Sequence, residues 1–200
     1  PPDTFVATTK ATAGSTGVLI EQPTEKEPVR SILEVRGAVN APQFVSSELH
    51  FGVGLVPTNW TRIGELTTKP SEEGSLGAID TIQLDDGPYT LRLTVRSVTG
   101  GEIVYRRFVV DNTAPQVEVR GLGLTAKLAS GKVMLGADVT DANGVAVVSF
   151  VVDGETIGVD RRAPFEAAWA PEPGEHVLLV TATDRAGNTS ETAPVTFRSG

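Results

Sequence analysis

Turn-forming residues interrupt this sequence at short intervals, and this spacing limits the structures that the chain can form. Gly, Pro, Asn or Asp recurs about every 8–12 residues, which leaves no window long enough for a sustained helical repeat of apolar side chains. Between the turns apolar and polar residues alternate, most clearly in Tyr89–Val95. An alternation with a period of two is typical of strands that bury one face. We therefore expect an all-β protein with almost no helix.

The same order of segments occurs twice along the chain. The run Gly87–Val95 aligns with Gly174–Ala182, and the turn at Gly100 aligns with Gly187 at the same offset. A chain of 200 residues has room for two β-sandwiches of about 100 residues each. The repeat therefore predicts two consecutive domains of the same kind.

The predicted boundary lies at Asp111–Pro115, because a new run of alternation begins at Gln116. We predict a lead-in or linker at residues 1–16, a first sandwich at 17–112 and a second sandwich at 113–200. The connection is short and contains proline. We therefore expect it to restrict the angle between the domains more than a Gly/Ser linker would.

Several segments of the second unit carry a family resemblance. They are Asp111–Pro115, Val152–Gly158, Ala163–Phe165 and Thr183–Ser190. Together they resemble the bacterial Ig-like domains found in surface proteins, adhesins and secreted glycoside hydrolases. The fold that this resemblance implies is all-β, with two consecutive immunoglobulin-like β-sandwich domains.

The first unit carries a different resemblance, in Trp60–Gly64, Leu76–Thr81 and Asp86–Leu93. These segments resemble the C-terminal extension of some class A penicillin-binding proteins, the peptidoglycan glycosyltransferase-transpeptidases. Ile79 stands where we expect a Trp in that pattern, and the catalytic motifs Ser-x-x-Lys and Lys-Thr-Gly do not occur in this sequence. The resemblance therefore implies a cell-envelope context and no activity of those enzymes.

Charge and composition exclude several classes of partner. The net charge is -8 and no basic stripe is visible, so we expect no nucleic-acid partner. No apolar run is long enough to cross a bilayer, and we expect this chain not to span a membrane. The absence of cysteine excludes disulfides and thiolate metal sites. The resemblances imply an extracytoplasmic bacterial module, and we expect it to be monomeric and to require no cofactor.

Acidic and amide side chains concentrate in three segments that an immunoglobulin-like topology brings to one pole of the second domain. They are Asp111, Asn112, Asp138, Asp141, Asn143, Asp184 and Asn188. Calcium takes about six to eight oxygen ligands of this kind, so the set predicts a Ca²⁺ site at the pole facing the first domain, where an ion would stiffen the junction. The alternative is that these residues only form turns, which Asp and Asn favour. The matching segment of the first unit, Ser97–Gly101, has no carboxylate, which favours calcium.

Aromatic and histidine side chains are predicted to be structural. We expect Trp60 and Trp169 to pack in the core or at its rim, with sugar stacking as the alternative. Tyr89 follows a turn and opens a long strand, which predicts a tyrosine corner, and His176 holds the matching place in the second unit. His50 is the one other histidine, so no His cluster for a transition metal is expected.

No motif in the sequence indicates catalysis, and we predict that the chain is not an enzyme. A nucleophilic serine needs an adjacent base and an oxyanion hole, and no Gly-x-Ser-x-Gly turn is present. Only a pocket that held His50 or His176 against a serine and a carboxylate would argue for an enzyme.

The predicted function is a non-catalytic module that spaces, orients or docks a larger bacterial envelope protein, such as a cell-wall synthase. Its expected partner is an envelope protein or a cell-wall glycan. One alternative is a glycan- or peptidoglycan-binding module, which predicts exposed aromatic side chains on a sheet face or loop tip. The other alternative is a segment of a surface adhesin, which predicts further copies of the unit in the full-length protein.

Overall fold

The computed structural model describes residues 5–7, 17–121, 127–128 and 131–199. The chain divides into two compact domains, Pro1–Asn112 and Thr113–Gly200. Across the described residues the regular structure is β-strand, apart from one turn of 3₁₀ helix at Thr81–Gln83. No helix in this part of the chain is long and apolar enough to cross a membrane. The expectation of an all-β fold is therefore confirmed.

The first domain contains two sheets. Its strands are β1 (Phe5–Ala7), β2 (Val18–Gln22), β3 (Glu27–Val29), β4 (Ile32–Val39), β5 (Phe44–Val53), β6 (Thr61–Thr67), β7 (Gly74–Asp80), β8 (Gly87–Ser97) and β9 (Gly100–Val110). One sheet has six strands in the order β1-β9-β8-β5-β6, with β3 also paired with β9, and the other has the order β2-β4-β7. The antiparallel hairpin of β8 and β9 forms the centre of the larger sheet.

The alternation in the sequence places the core of the first domain between these sheets. Along β8 the side chains of Tyr89, Leu91, Leu93 and Val95 are buried, and those on the other face are partly or fully exposed except at Thr90. They pack with residues of the smaller sheet, such as those of β4, in one apolar cluster. Burial of apolar surface at about 25 cal/mol per Å² is the main stabilising term in such a sandwich.

The segment predicted as a lead-in, residues 1–16, contains one described strand. β1 pairs in parallel with β9, with Phe5 opposite Gly101 and Ala7 opposite Ile103. Three residues are too few to produce a recognisable alternation, so the sequence pattern did not indicate this pairing. The other residues of that segment lie outside the described ranges.

The second domain repeats the arrangement. Its strands are β10 (Gln116–Arg120), β11 (Lys127–Leu128), β12 (Val133–Thr140), β13 (Val145–Val152), β14 (Glu155–Asp160), β15 (Phe165–Trp169), β16 (Gly174–Asp184), β17 (Thr189–Glu191) and β18 (Val195–Ser199). One sheet has the order β10-β12-β15; the other has the order β11-β18-β16-β13-β14, with β17 also paired with β16. Its core is a second apolar cluster. The prediction of two consecutive immunoglobulin-like β-sandwich domains is confirmed.

Candidate functional site

The predicted calcium ligands of the second domain come together in part. Asp141 follows β12 and Asp184 ends β16. A carboxylate oxygen of Asp141 lies within 4.8 Å of a carboxylate oxygen of Asp184. Asn188 is buried beside Asp184, and its Nδ2 donates to Oδ2 of Asp184 at 2.7 Å. The loops after β12 and β16 therefore bring Asp141, Asp184 and Asn188 to one end of this sandwich.

Both carboxylates also hold their own turns. Oδ1 of Asp141 accepts from the backbone N–H groups of Asn143 at 2.8 Å and Gly144 at 2.7 Å. Oδ1 of Asp184 accepts from the backbone N–H groups of Gly187 at 2.6 Å and Asn188 at 2.8 Å. Turn formation of this kind is an ordinary role of aspartate. The geometry fits both interpretations, and calcium binding by this set stays a prediction.

Asp138, another predicted ligand, has a cation beside it. It lies on β12 opposite Glu118 of β10, and its Oδ1 accepts from Nε of Arg120 at 3.0 Å. Arg120 also pairs with Glu166 at 3.2 Å. This cross-strand ion pair satisfies the Asp138 carboxylate without a metal.

Asp111 and Asn112, the remaining predicted ligands, belong to the first domain. Asp111 is buried after β9, and its backbone N–H donates to the carbonyl of Val29 at 2.9 Å. The side-chain amide of Asn112 donates to the carbonyls of Thr81 at 2.9 Å and Leu84 at 3.3 Å. Asn112 thereby ties the end of the first domain to the loop that precedes β8.

The predicted tyrosine corner is confirmed. The hydroxyl of Tyr89 donates to the carbonyl of Asp85 at 3.0 Å, four residues upstream. The buried ring stacks on Phe108 with centroids 5.6 Å apart. Burial, followed by the nearby carboxylates of Asp85 and Asp86, raises the pKa of Tyr89 above its usual value. Tyr89 therefore pins the loop before β8 as a neutral hydrogen-bond donor.

His176 ties the equivalent loop of the second domain. Its Nε2 lies 2.9 Å from the carbonyl of Glu172, again four residues upstream, and its Nδ1 lies 2.7 Å from Oδ2 of Asp153. A carbonyl and an ionised carboxylate only accept hydrogen bonds, so this geometry favours the imidazolium form of the ring, in which both nitrogens donate. The hydrogen bond that His176 donates to Asp153 is the main cause that raises the pKa of His176, and the bond to the carbonyl of Glu172 adds to it.

Ser199 completes a grouping of serine, histidine and aspartate around His176. Its Oγ lies 3.2 Å from Nε2 of His176. Three features argue against a nucleophile: Ser199 is 3% exposed, its hydroxyl donates to the carbonyl of Glu172, and Nε2 of His176 faces that same carbonyl, which leaves no free base for the hydroxyl proton. The arrangement fits a structural corner.

Sequence reasoning placed His176 at this corner but missed both of its side-chain partners. Asp153 occupies the two-residue turn with Gly154 between β13 and β14, where its φ is 51°. The Asp-Gly pair is a recognisable hairpin signal. No signal in the sequence connects that turn to His176, because the contact depends on the pairing of β13 with β16.

The two tryptophans differ in their surroundings. Trp169 packs on the core of the second domain, and its ring centroid lies 4.8 Å from that of His176 and 5.5 Å from that of Phe197, both in T-shaped arrangements. Its predicted rim position is confirmed. Trp60 is half-buried and lies over Arg92, with Cζ of Arg92 4.3 Å from the ring centroid. Among the described residues of the first domain it is not part of the core cluster. The predicted packing in the core or at its rim is therefore wrong for Trp60, because the loop before β6 carries it onto the outer face of the sheet.

Comparisons with known proteins agree with this architecture. Residues 115–196 match the model of the family described as Bacterial Ig domain. The fibronectin(III)-like modules of CbhA from Clostridium thermocellum align with 92% of this chain and 93% of their own, with a TM-score of 0.54 and 23% identity. The FN1-FN3 domains of chicken CNTN1 align with 88% of this chain and 66% of theirs, with a TM-score of 0.47 and 12% identity. No curated protein sequence matches the chain. The family model and the CbhA modules establish the immunoglobulin-like fold.

Proposed function

We propose that this chain is a non-catalytic, extracytoplasmic module that spaces and docks a larger bacterial envelope protein, such as a peptidoglycan synthase. The observation that carries the proposal is the succession of two complete sandwiches, each with its own core. β9 ends at Val110 and β10 begins at Gln116, so the connection is short. Two sandwiches joined by a short connection are suited to holding the neighbouring parts of a larger protein at a set separation.

The ends of the connection support a spacer with a restricted hinge. At one end, the backbone N–H of Asn112 donates to Oδ1 of Asp86 within the first domain at 2.7 Å. At the other end, the carbonyl of Pro115 accepts from the hydroxyl of Ser190 within the second domain at 2.5 Å. Thr113 and Ala114 lie between these two attachment points. A connection of this length has few conformations in comparison with a long flexible linker.

The envelope context is supported by both halves of the sequence. Residues 115–196 match a family of bacterial Ig domains. The segments Trp60–Gly64 and Asp86–Leu93 resemble an extension of class A penicillin-binding proteins. The burial of Ser199 and the engagement of both ring nitrogens of His176 with Asp153 and Glu172 support a role without catalysis.

Replacement of the two domains within the native full-length protein tests the proposal. One variant carries an unrelated pair of β-sandwiches with a short connection, and a second carries a Gly/Ser linker of the same number of residues. If the module spaces its neighbours, the rigid replacement retains a larger part of the parent protein's function than the flexible one. Equal loss in both variants would contradict a spacer role.

The location of the module needs a separate measurement. We expect protease added to intact spheroplasts to cleave a protease site inserted in the module, and a site inserted in a cytoplasmic control protein to remain intact. Protection of the module in spheroplasts and cleavage after lysis would contradict the extracytoplasmic assignment.

A further inference from the structure

The outer face of the larger sheet of the first domain carries a cluster of arginine and aromatic side chains. Tyr105 on β9 lies opposite Arg92 on β8, Arg92 lies opposite His50 on β5, and His50 lies opposite Arg62 on β6. The ring of Trp60 covers the guanidinium of Arg92 and lies 6.2 Å from the ring of Tyr105. We call Trp60, Arg62, Arg92 and Tyr105 the arginine–aromatic face.

This face is cationic in a chain whose net charge is -8. Within the described part of the chain, neither Arg62 nor Arg92 forms an ion pair with a carboxylate. Nε of Arg92 is buried without a hydrogen-bond partner. Burial, and after it the charge of Arg92, lowers the pKa of His50, whereas Glu48 opposes this effect. The guanidinium groups of Arg62 and Arg92, without a carboxylate partner among the described residues, therefore favour an anionic group from outside the chain.

The loop between β5 and β6 adds an apolar tip next to this face. Leu55 is 55% exposed and Val56 is 86% exposed, and Trp60 ends the same loop. The loop is fixed on β8, because the N–H of Gly54 donates to the carbonyl of Pro88 at 2.7 Å and its carbonyl accepts from the hydroxyl of Thr90 at 2.8 Å. A surface that is ordered before binding loses little conformational entropy on association.

The combination of these side chains distinguishes between classes of partner. Trp, Tyr and Arg are the residue types enriched at the energetic centres of protein interfaces. Arginine also offers a planar fork that matches a carboxylate. A glycan would use the rings and the charges but would leave Leu55 and Val56 in water, where exposed aliphatic side chains gain nothing. The observations therefore favour a protein.

We infer that the arginine–aromatic face and the adjoining loop tip dock a segment of a partner protein in which acidic side chains flank an apolar one. The carboxylates pair with Arg62 and Arg92, and the apolar side chain packs on Leu55 and Val56. This inference rests on the docking role proposed above and assigns to it a surface and a partner chemistry.

Selection from a display library of random 12-residue peptides on the whole chain tests the inference. Enriched peptides are expected to contain Asp or Glu next to a large apolar residue. Synthetic copies should bind Arg62→Gln and Arg92→Gln at least about 10-fold more weakly than the parent chain, because each loses a charge-assisted hydrogen bond. Leu55→Ser, at an exposed position, should also weaken binding.

Arg36→Gln is the matched control, since Arg36 lies on β4 of the other sheet and pairs with Glu34. It should bind the selected peptides as the parent chain does. Arg62 is exposed, so Arg62→Gln remains informative even if Arg92→Gln disturbs the packing around Trp60. Melting curves confirm that each variant is folded.

Several results would overturn the inference. The selection could fail to enrich any peptide over the blank support, or it could enrich peptides without acidic residues. The parent chain and both arginine variants could also bind the selected peptides equally. Binding of oligogalacturonate in place of the peptides, lost in the same variants, would assign the face to an acidic glycan. Self-association lost in the same variants would assign it to a second copy of the chain. The domain replacement can succeed or fail independently of these results, because it tests spacing.

Discussion

Tyr89 and His176 occupy equivalent positions in the two domains. Each attaches the equivalent loop of its own domain, but by a different kind of hydrogen bond. Each side chain reaches the backbone carbonyl four residues upstream, that of Asp85 for Tyr89 and that of Glu172 for His176. The phenol does so as a neutral group, whereas the imidazolium needs the carboxylate of Asp153 beside it. The hydrogen bonds of the corner in the second domain therefore depend on pH near the pKa of His176, where Tyr89 in the first domain stays neutral.

Tyr89→Phe is expected to destabilise the first domain. The variant keeps the ring and its stacking on Phe108 but leaves the carbonyl of Asp85 without its donor. The loss should be about 1 kcal/mol in the free energy of unfolding, measured by urea denaturation of the whole chain. Tyr105→Phe is the control, since Tyr105 is 45% exposed, and it should change stability little. Equal effects of the two variants would contradict a special role for Tyr89.

His176 is expected to titrate above the usual histidine pKa of 6.5, and His50 below it. A raised pKa in the folded state means that the contribution of His176 to stability is complete below pH 6.5 and is lost as the pH rises through the folded-state value. Asp153, whose pKa is lowered mainly by His176, contributes above pH 3.8 and loses its contribution as the pH falls through its folded-state value. The corner is therefore strongest between these limits.

Proton NMR of the two histidines measures this directly. Two separate titrations, one on each side of 6.5, are expected, and His176→Gln removes the upper one. Asp153→Asn should move the titration of His176 down while that of His50 stays in place. A titration of His176 at or below 6.5 would contradict the assignment of two hydrogen-bond donors to its ring.

Among the elements, the loops after β12 and β16 bring two carboxylates close together. Asp141 and Asp184 have oxygens within 4.8 Å of each other, and like charges at this distance repel. Backbone N–H donors offset part of that repulsion at each residue. A divalent cation would offset more of it, and that is the physical basis of the calcium prediction.

Asp141→Asn separates calcium binding from turn formation. Asparagine keeps an oxygen for the N–H groups of Asn143 and Gly144 but removes one charge, so the turn should survive while calcium affinity falls. Calcium is expected to raise the melting temperature of the parent chain, chelator to reverse the effect, and the variant to show neither. Asp111→Asn, measured in the same way, tests whether that residue belongs to the predicted set. If calorimetric titration of the parent chain with calcium shows no heat of binding and its melting temperature does not shift, these residues only form turns.

At the scale of the whole molecule, each domain has its own apolar cluster. Phe108 lies in the first and Phe150 in the second, and both side chains are fully buried. Removal of a buried phenylalanine leaves a cavity and costs about 3–5 kcal/mol. The two cores therefore predict unfolding transitions that substitutions can shift separately.

Phe150→Ala should lower the denaturation midpoint of the second domain and leave that of the first unchanged, and Phe108→Ala should do the reverse. Hydrogen exchange of backbone amides during urea denaturation assigns each transition to a domain. A single transition that moves equally in both variants would contradict the separation of the two cores.

Local patterns were enough to predict the architecture. The alternation along Tyr89–Val95 places every second side chain in the core whatever that strand pairs with, because successive side chains of a strand point to opposite faces. The tyrosine corner could also be predicted from local sequence, because its hydrogen bond spans four residues of one segment. The turn residues around β8 and β16 likewise act through their own backbone preferences.

The tertiary structure alone decided which distant side chains meet. The pairing of β13 with β16 brings Asp153 to His176, and the path of the loop before β6 lays Trp60 over Arg92. Strand register and loop path depend on the packing of the whole sandwich, and residue order does not encode them locally. The sequence by itself therefore determined the folds of the two domains. The contacts that make a charged corner and an arginine–aromatic face exist only because the sheets form around their cores.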